Sequence, residues 1–159
     1  MAASPELVQK PEDRVLVITR ELAAPRALVF KVWSQPEHLV RWWGPKGFTL
    51  PDCTVEFHSG GAFRCHMRSP EGSDHRMHGV YREIVEPEKI SFTWGWVDPE
   101  GQRGHETLVT VLLQEAGRSG ERTKLTLHQA LFESVTARDS HNGGWSECMD
   151  RLVAYVAGL

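Results

Sequence analysis

Between Arg14 and Leu22 apolar and polar positions alternate, with Leu16, Ile18 and Leu22 on one face and Val15 and Val17 on the other. That period of two is what a strand with one buried face requires. The run stops before Ala24-Pro25, and the spacing turns helical: Leu28, Val29, Val32 and Trp33 form one apolar stripe of about three turns. Pro25 suits its first helical position, where a missing N–H costs nothing. Ser34 and Glu37 have capping-box spacing around Pro36, which predicts a second short helix with Leu39, Val40 and Trp43 on its core side. Gly44 and Pro45 end it. Trp42 and Trp43 against these helix-stopping residues mark a built corner. Two helices this short cannot enclose a core, so they are expected to act as a lid or plug on one.

From Asp52 to Leu131 the period returns to two, interrupted at Ser59-Gly60-Gly61, Ser69 to Asp74, Glu86-Pro87-Glu88, Asp98 to Gly104 and Gly117 to Gly120. Five breaks imply six strands. Connections of this length require antiparallel neighbours, because a parallel return needs a crossover of about a dozen residues. Ile90, Phe92, Trp94 and Trp96 give one strand a large apolar face, and Thr107, Val109, Val111 and Leu113 give the next another.

The segment from Thr136 to Val156 has helical period, with Trp145, Met149, Leu152 and Val156 on one stripe and Cys148 and Tyr155 beside it. Thr136 and Asp139 are candidate caps. Gly143 and Gly144 interrupt it, each at a cost of about 1 kcal/mol relative to alanine in a helix interior. Either they leave room for a cavity beside Trp145, or Asn142-Gly143 is a turn and the helix begins at Trp145. A long amphipathic helix after a meander is expected to close the concave face of a twisted sheet. Residues 1–13, with Pro5 and Pro11 and no periodicity, read as a loose leader, and 14–159 as one domain.

The 159 residues suffice for one core that buries roughly two-thirds of the unfolded surface. A formal charge of -3 gives no electrostatic reason to expect nucleic acid or an anionic membrane, and the aromatics Phe92, Trp94 and Trp96 are not interleaved with a basic stripe. No apolar run approaches the roughly 20 residues that span a bilayer, so membrane insertion is not expected and the cytoplasm is the default setting. Cys53, Cys65 and Cys148 are odd in number, far apart and set in apolar segments, which reads as reduced cysteine used as a small hydrophobe. His66, His75 and His78 do not build a metal site, because His75 and His78 fall on opposite strand faces and no Cys-x2-Cys element supplies further ligands. Gly60-Gly61 and Gly143-Gly144 lack the spacing of a phosphate loop, and there is no Gly-x-Ser-x-Gly elbow. No cofactor is expected. For acid–base chemistry the candidates are His128, whose side-chain type titrates near neutrality, with Arg20 and Glu106 as polar partners.

A further set of words runs through the chain: Val29-Phe30, Pro36-Glu37-His38-Leu39, Arg41-Trp42-Trp43-Gly44-Pro45, Gly60-Gly61-x-Phe63, Gly79-x-Tyr81-x-Glu83-Ile84, Thr93-Trp94, Thr107 to Val111 and Gly144-Trp145. With the order of elements, they make residues 15–157 resemble the Hsp90-ATPase-activator-like (AHSA1-like) family of the START, or Bet v 1-like, SRPBCC superfamily. The resemblance implies an α+β helix-grip fold: a curved antiparallel sheet around a long C-terminal helix, with two short helices after the first strand and a cavity between sheet and helix. It also implies three functional classes. Stand-alone members look like binders of small apolar molecules, more distant relatives are cyclases or dehydratases of aromatic polyketides, and the co-chaperones that name the family carry additional sequence for engaging Hsp90. No second unit is expected here, which disfavours the co-chaperone role.

The reading that follows is a binding domain for a small hydrophobic or aromatic ligand. Its cavity walls are expected to be Trp33, Trp43, Phe63, Trp94 and Trp145, with Gly144 supplying room. Val15, Val17, Leu108 and Leu112, on outward strand faces, are candidates for cover by a second copy in a homodimer.

Overall fold

The alternating segments form seven strands of one antiparallel sheet in a computed structural model that describes residues 11–159. Most of the expected leader lies outside the described residues, and Pro11–Arg14 form a 3-10 turn. In chain order come β1 (Leu16–Leu22), α1 (Arg26–Ser34), α2 (Pro36–Trp42), β2 (Thr49–Val55), β3 (Ala62–Arg68), β4 (Asp74–Val85), β5 (Lys89–Val97), β6 (Thr107–Ala116), β7 (Arg122–Ala130) and α3 (Val135–Ala157). The sheet order is β1-β7-β6-β5-β4-β3-β2. Each of the five short connections between β2 and β7 is a hairpin. β1 sits at the far edge, and α1 with α2 carries the chain from that edge to β2 at the other.

Pairing register aligns the apolar faces into rows. Ile18 pairs with Leu127, Leu127 with Val111 and Val111 with Ile90, and all four side chains are buried. α3 covers this face with Trp145, Cys148, Met149, Leu152 and Val156, the i, i+3, i+4, i+7 stripe of an amphipathic helix. The helix-grip architecture expected from the pattern is the one observed. Gly79 shows how little room is left within the sheet: it pairs with Phe63 across β3 and β4, and a Cβ there would collide with the Phe63 ring and the Thr93 carbonyl.

Three local expectations need correction, and one open alternative is decided. Ser34 is not an N-cap; it closes α1, its Oγ donates to the Lys31 carbonyl, and Gln35 stands at the N-cap of α2 without a side-chain bond. Val40 is 41% exposed, because the face of α2 that turns inward carries Leu39, Trp42 and Trp43 at i, i+3 and i+4. α3 is capped by Ser134, whose side chain accepts from the Ala137 N–H, and not by Thr136 or Asp139. The helix runs unbroken through Gly143 and Gly144, so Asn142-Gly143 is not a turn. Among the outward positions, Val17 and Leu112 are exposed, whereas Val15 and Leu108 are half-buried.

Candidate functional site

All six tryptophans join one chain of ring contacts. Trp43 is its hub, with centroids 6.1 Å from Trp33, 5.4 Å from Trp42, 6.0 Å from Trp94 and 5.5 Å from Trp145. Trp94 in turn meets Trp96 at 5.3 Å and Trp145 at 5.8 Å. Edge-on and tilted pairs of this kind add about 0.5–1.5 kcal/mol each beyond their burial. The corner made by Trp42-Trp43-Gly44-Pro45 is thus a wedge between the two short helices and the sheet.

That wedge divides the interior into unequal spaces. On the α1–α2 side, Trp33, Trp43, Phe63 and Phe92 enclose about 20 Å³, room for about one water in a lining that offers it few partners. On the other side, between the N-terminal half of α3, the 44–48 turn and the ends of β3, β4 and β5, a groove of about 340 Å³ opens to solvent. Its walls are Phe48, Met67, Trp94, Trp96 and Trp145, with Gly44, Pro45 and Gly144 along the rim and Cys148 at depth. Of the expected wall residues, Trp94, Trp145 and Gly144 line this groove. Trp33 and Phe63 border the nearly filled space instead, and Trp43 packs behind the groove against Trp94 and Trp145.

The position of the groove follows from bonds that hold its walls. Trp145 Nε1 donates to Gln129 Oε1 at 2.7 Å, Gln129 Nε2 donates to Thr107 Oγ1 at 2.8 Å, and Thr107 donates to the Trp94 carbonyl at 3.2 Å. All four residues are buried. This relay ties one wall on α3 to the other on β5 through Gln129 of β7 and Thr107 of β6. Buried polar groups satisfied in this way fix orientation, because any other arrangement would leave a donor or acceptor unpaired.

The turn beside the groove is held from α3. Arg151 Nη1 lies 3.0–3.2 Å from the carbonyl oxygens of Trp43, Gly44, Pro45 and Phe48, placing a cation at the C-terminal end of α2. Gly44 has φ +100°, and a Cβ there would lie 3.0 Å from Met67 Sδ, so both conformation and space call for glycine. The Gly44 N–H donates to Cys148 Sγ at 3.3 Å. Burial pushes the Cys148 thiol up to about 12, against the opposing effects of that bond and of Arg151, so it remains protonated and serves packing.

The polar groups that face the groove are Ser140, His141 and His75. His141 Nδ1 donates to the Ala137 carbonyl at 2.9 Å, which leaves Nε2 to accept from Trp96 Nε1 at 3.0 Å. The neutral imidazole therefore fixes the indole of Trp96, which is 37% exposed at the mouth. His75 meets Phe48 in a tilted ring pair and Trp96 edge-on. No group of three or more His, Cys, Asp or Glu side chains placed to hold a metal ion occurs among the described residues.

The three acid–base candidates do not converge. Arg20 pairs with Asp150 at 3.1 Å at the edge of β1 and α3, Glu106 is exposed in the β5–β6 connection, and His128 is half-buried on the sheet face turned away from α3. His66 is engaged with Asp74 at 2.6 Å, and His78 is buried under the β5–β6 connection rather than in the groove. Sequence reasoning missed His141 and Ser140, although they lie four residues before Trp145 and Gly144 respectively and so continue those two rows of α3 by one turn.

The family model described as Activator of Hsp90 ATPase homolog 1-like protein matches residues 23–157. Among solved structures, the AHSA1 protein of Silicibacter pomeroyi is 27% identical, with a TM-score of 0.82, over 90% of this chain and 97% of that one. A solution structure from Arthrobacter aurescens is also 27% identical, at 0.80, over 95% and 90%. A crystal structure from Chromobacterium violaceum is 25% identical, at 0.76, over 90% and 96%. Comparison with curated proteins finds no match.

Proposed function

The chain belongs to the Activator of Hsp90 ATPase homolog 1-like family of helix-grip proteins, and from that premise we propose that it binds a small, flat, largely apolar molecule in the groove beside α3. The observation that carries this reading is the groove itself: about 340 Å³, walled by aromatic rings, and of the size and character of small-molecule sites. Trp94 and Trp145 offer ring faces. His75 and Ser140 offer the few polar groups that would orient a ligand, and His141 holds the Trp96 ring at the mouth. Free Cys53, Cys65 and Cys148 suit a reducing cytoplasm.

Native mass spectrometry of protein taken directly from cells, with chemical identification of retained mass, tests the proposal. The expected result is one bound molecule, lost in a folded Gly144→Leu variant, whose side chain would project past Pro45 into the groove. A folded variant that retains the same molecule to the same extent places the ligand elsewhere. Empty protein that also takes up nothing from a broad apolar library removes the reading.

A second reading, association with Hsp90, is favoured by the family match over residues 23–157. It predicts a changed ATPase rate when the purified chain is added to purified Hsp90, and an unchanged rate with no co-purification would reject it. The cyclase reading has less support, since Arg20, Glu106 and His128 lie apart and both ring nitrogens of His141 in the groove are already hydrogen-bonded.

A further inference from the structure

Two cysteines that pattern alone reads as separate hydrophobes are brought together by the sheet. Cys53 on β2 and Cys65 on β3 are direct partners in the antiparallel ladder, and their sulfurs lie 3.1 Å apart. The Glu56 N–H donates to the Ala62 carbonyl, and hydrogen-bonded and non-hydrogen-bonded pairs alternate along such a ladder. Counting back through Val55–Phe63 and Thr54–Arg64 makes Cys53–Cys65 a non-hydrogen-bonded pair. In such pairs the Cα atoms approach to about 4.5 Å, inside the window of about 4.4–6.8 Å that a disulfide spans. The strands therefore need little adjustment to accept a covalent bond. β2 is an edge strand and Cys53 is only half-buried, so one sulfur can be approached from outside; Cys65 is buried behind it.

We propose that Cys53 and Cys65 form a dithiol modification site that is oxidised by low-molecular-weight disulfides to an intramolecular cross-strand disulfide. The Cys53 thiolate attacks one sulfur of the small disulfide; a bond forms to Cys53, the small S–S bond breaks, and one small thiolate leaves. Cys65 then loses its proton to solvent, its sulfur attacks Cys53 Sγ, and the second small thiolate leaves. Both small thiolates take up protons, so two protein thiols and one small disulfide become one protein disulfide and two small thiols.

The electrostatics assign the two roles. The hydrogen bond from Cys65 holds the Cys53 thiol below its ordinary range, although burial and the Asp52 carboxylate oppose this. The same bond, then burial, raises Cys65. Cys53 is thus the attacking sulfur and Cys65 the resolving one. Once Cys53 is capped as a mixed disulfide it no longer presents the negative charge that retains the Cys65 proton. The new bond would clip the edge strand to the sheet beside Trp33 and Tyr81, which share the small interior space with Cys65. None of this depends on the groove.

The test is incubation of the folded full chain with oxidised glutathione, followed by intact mass measurement and peptide mapping without reduction. The expected product is lighter by two hydrogens, contains a Cys53–Cys65 peptide and reverts with dithiothreitol. A Cys53→Ser variant with unchanged circular dichroism should give neither this product nor an adduct on Cys65, and Cys65→Ser should stop at a stable glutathione adduct on Cys53. Should Cys65→Ser not fold, native alkylation of the wild-type chain supplies the assignment: Cys53 should react more than about tenfold faster than Cys148. A lasting glutathione adduct on wild-type Cys53, a disulfide through Cys148, or a Cys53 that stays unmodified while the unfolded chain is oxidised would each overturn the proposal.

Discussion

Gly143→Ala and Gly144→Ala offer a paired experiment on α3, because the two glycines are neighbours in one helix yet face different surroundings. Gly143 is exposed, and a Cβ added to it would meet nothing within 4 Å. Alanine there gains helix propensity alone, worth about 1 kcal/mol. Gly144 lines the groove, and its added Cβ would lie 3.6 Å from Pro45 Cγ, an ordinary van der Waals contact. Its alanine should gain the same about 1 kcal/mol. For a chain of this length, each gain should raise the thermal midpoint by about 2–4 °C. Calorimetry or urea unfolding of the two single variants measures it. The argument fails if either alanine lowers stability by more than about 0.5 kcal/mol, since that is the signature of a turn needing glycine rather than a helix losing by it.

Other perturbations separate the forces that hold the site. Arg151→Met removes the cation from the carbonyls of the 43–48 turn and should cost about 1.5–3 kcal/mol in urea unfolding; a loss within about 0.5 kcal/mol would show that the turn holds itself. Ser134→Ala removes the cap of α3 and should cost about 1 kcal/mol, whereas Thr136→Ala should not. Burial first, and Arg103 second, hold the His78 imidazole below its ordinary value of 6.5, against Glu106. The unfolded chain therefore takes up this proton first: the contribution is fully present above about 6.5 and is lost as pH falls through the folded value. A folded His78→Gln variant should lose less stability than the wild type between about pH 7.5 and pH 5.5, and equal losses would refute the assignment.

Alternation and turn chemistry made the sheet legible, because a residue's face depends only on its parity within a strand. The position of the groove depends on more. Phe63 and Trp94 both point inward, but only the line along which α3 crosses the sheet decides which of them borders open space. That line is set by contacts with no sequence spacing of their own, such as Trp145 to Gln129 and Arg151 to the 43–48 carbonyls. Cys53 and Cys65 illustrate the same limit: a separation of twelve residues means little until the hairpin register makes them partners. Capping errors had a more local cause. Ser34 and Thr136 have suitable side chains, but α1 continues through the first and Ser134 already precedes the second.

The pairing of β1 with β7 has a consequence for the order of folding. Leu16 finds its partner Gln129 more than a hundred residues later, while β2 to β7 are joined by short turns and can pair as they are made. Contacts so distant in sequence form slowly and leave apolar surface uncovered meanwhile. On the ribosome, β1 must therefore wait, with Leu16, Ile18 and Leu22 bare, until β7 emerges with α3 close behind. A chain halted before Arg122 would carry an unpaired strand and an open apolar face together, which makes it a substrate for chaperones and proteases rather than a smaller version of the fold.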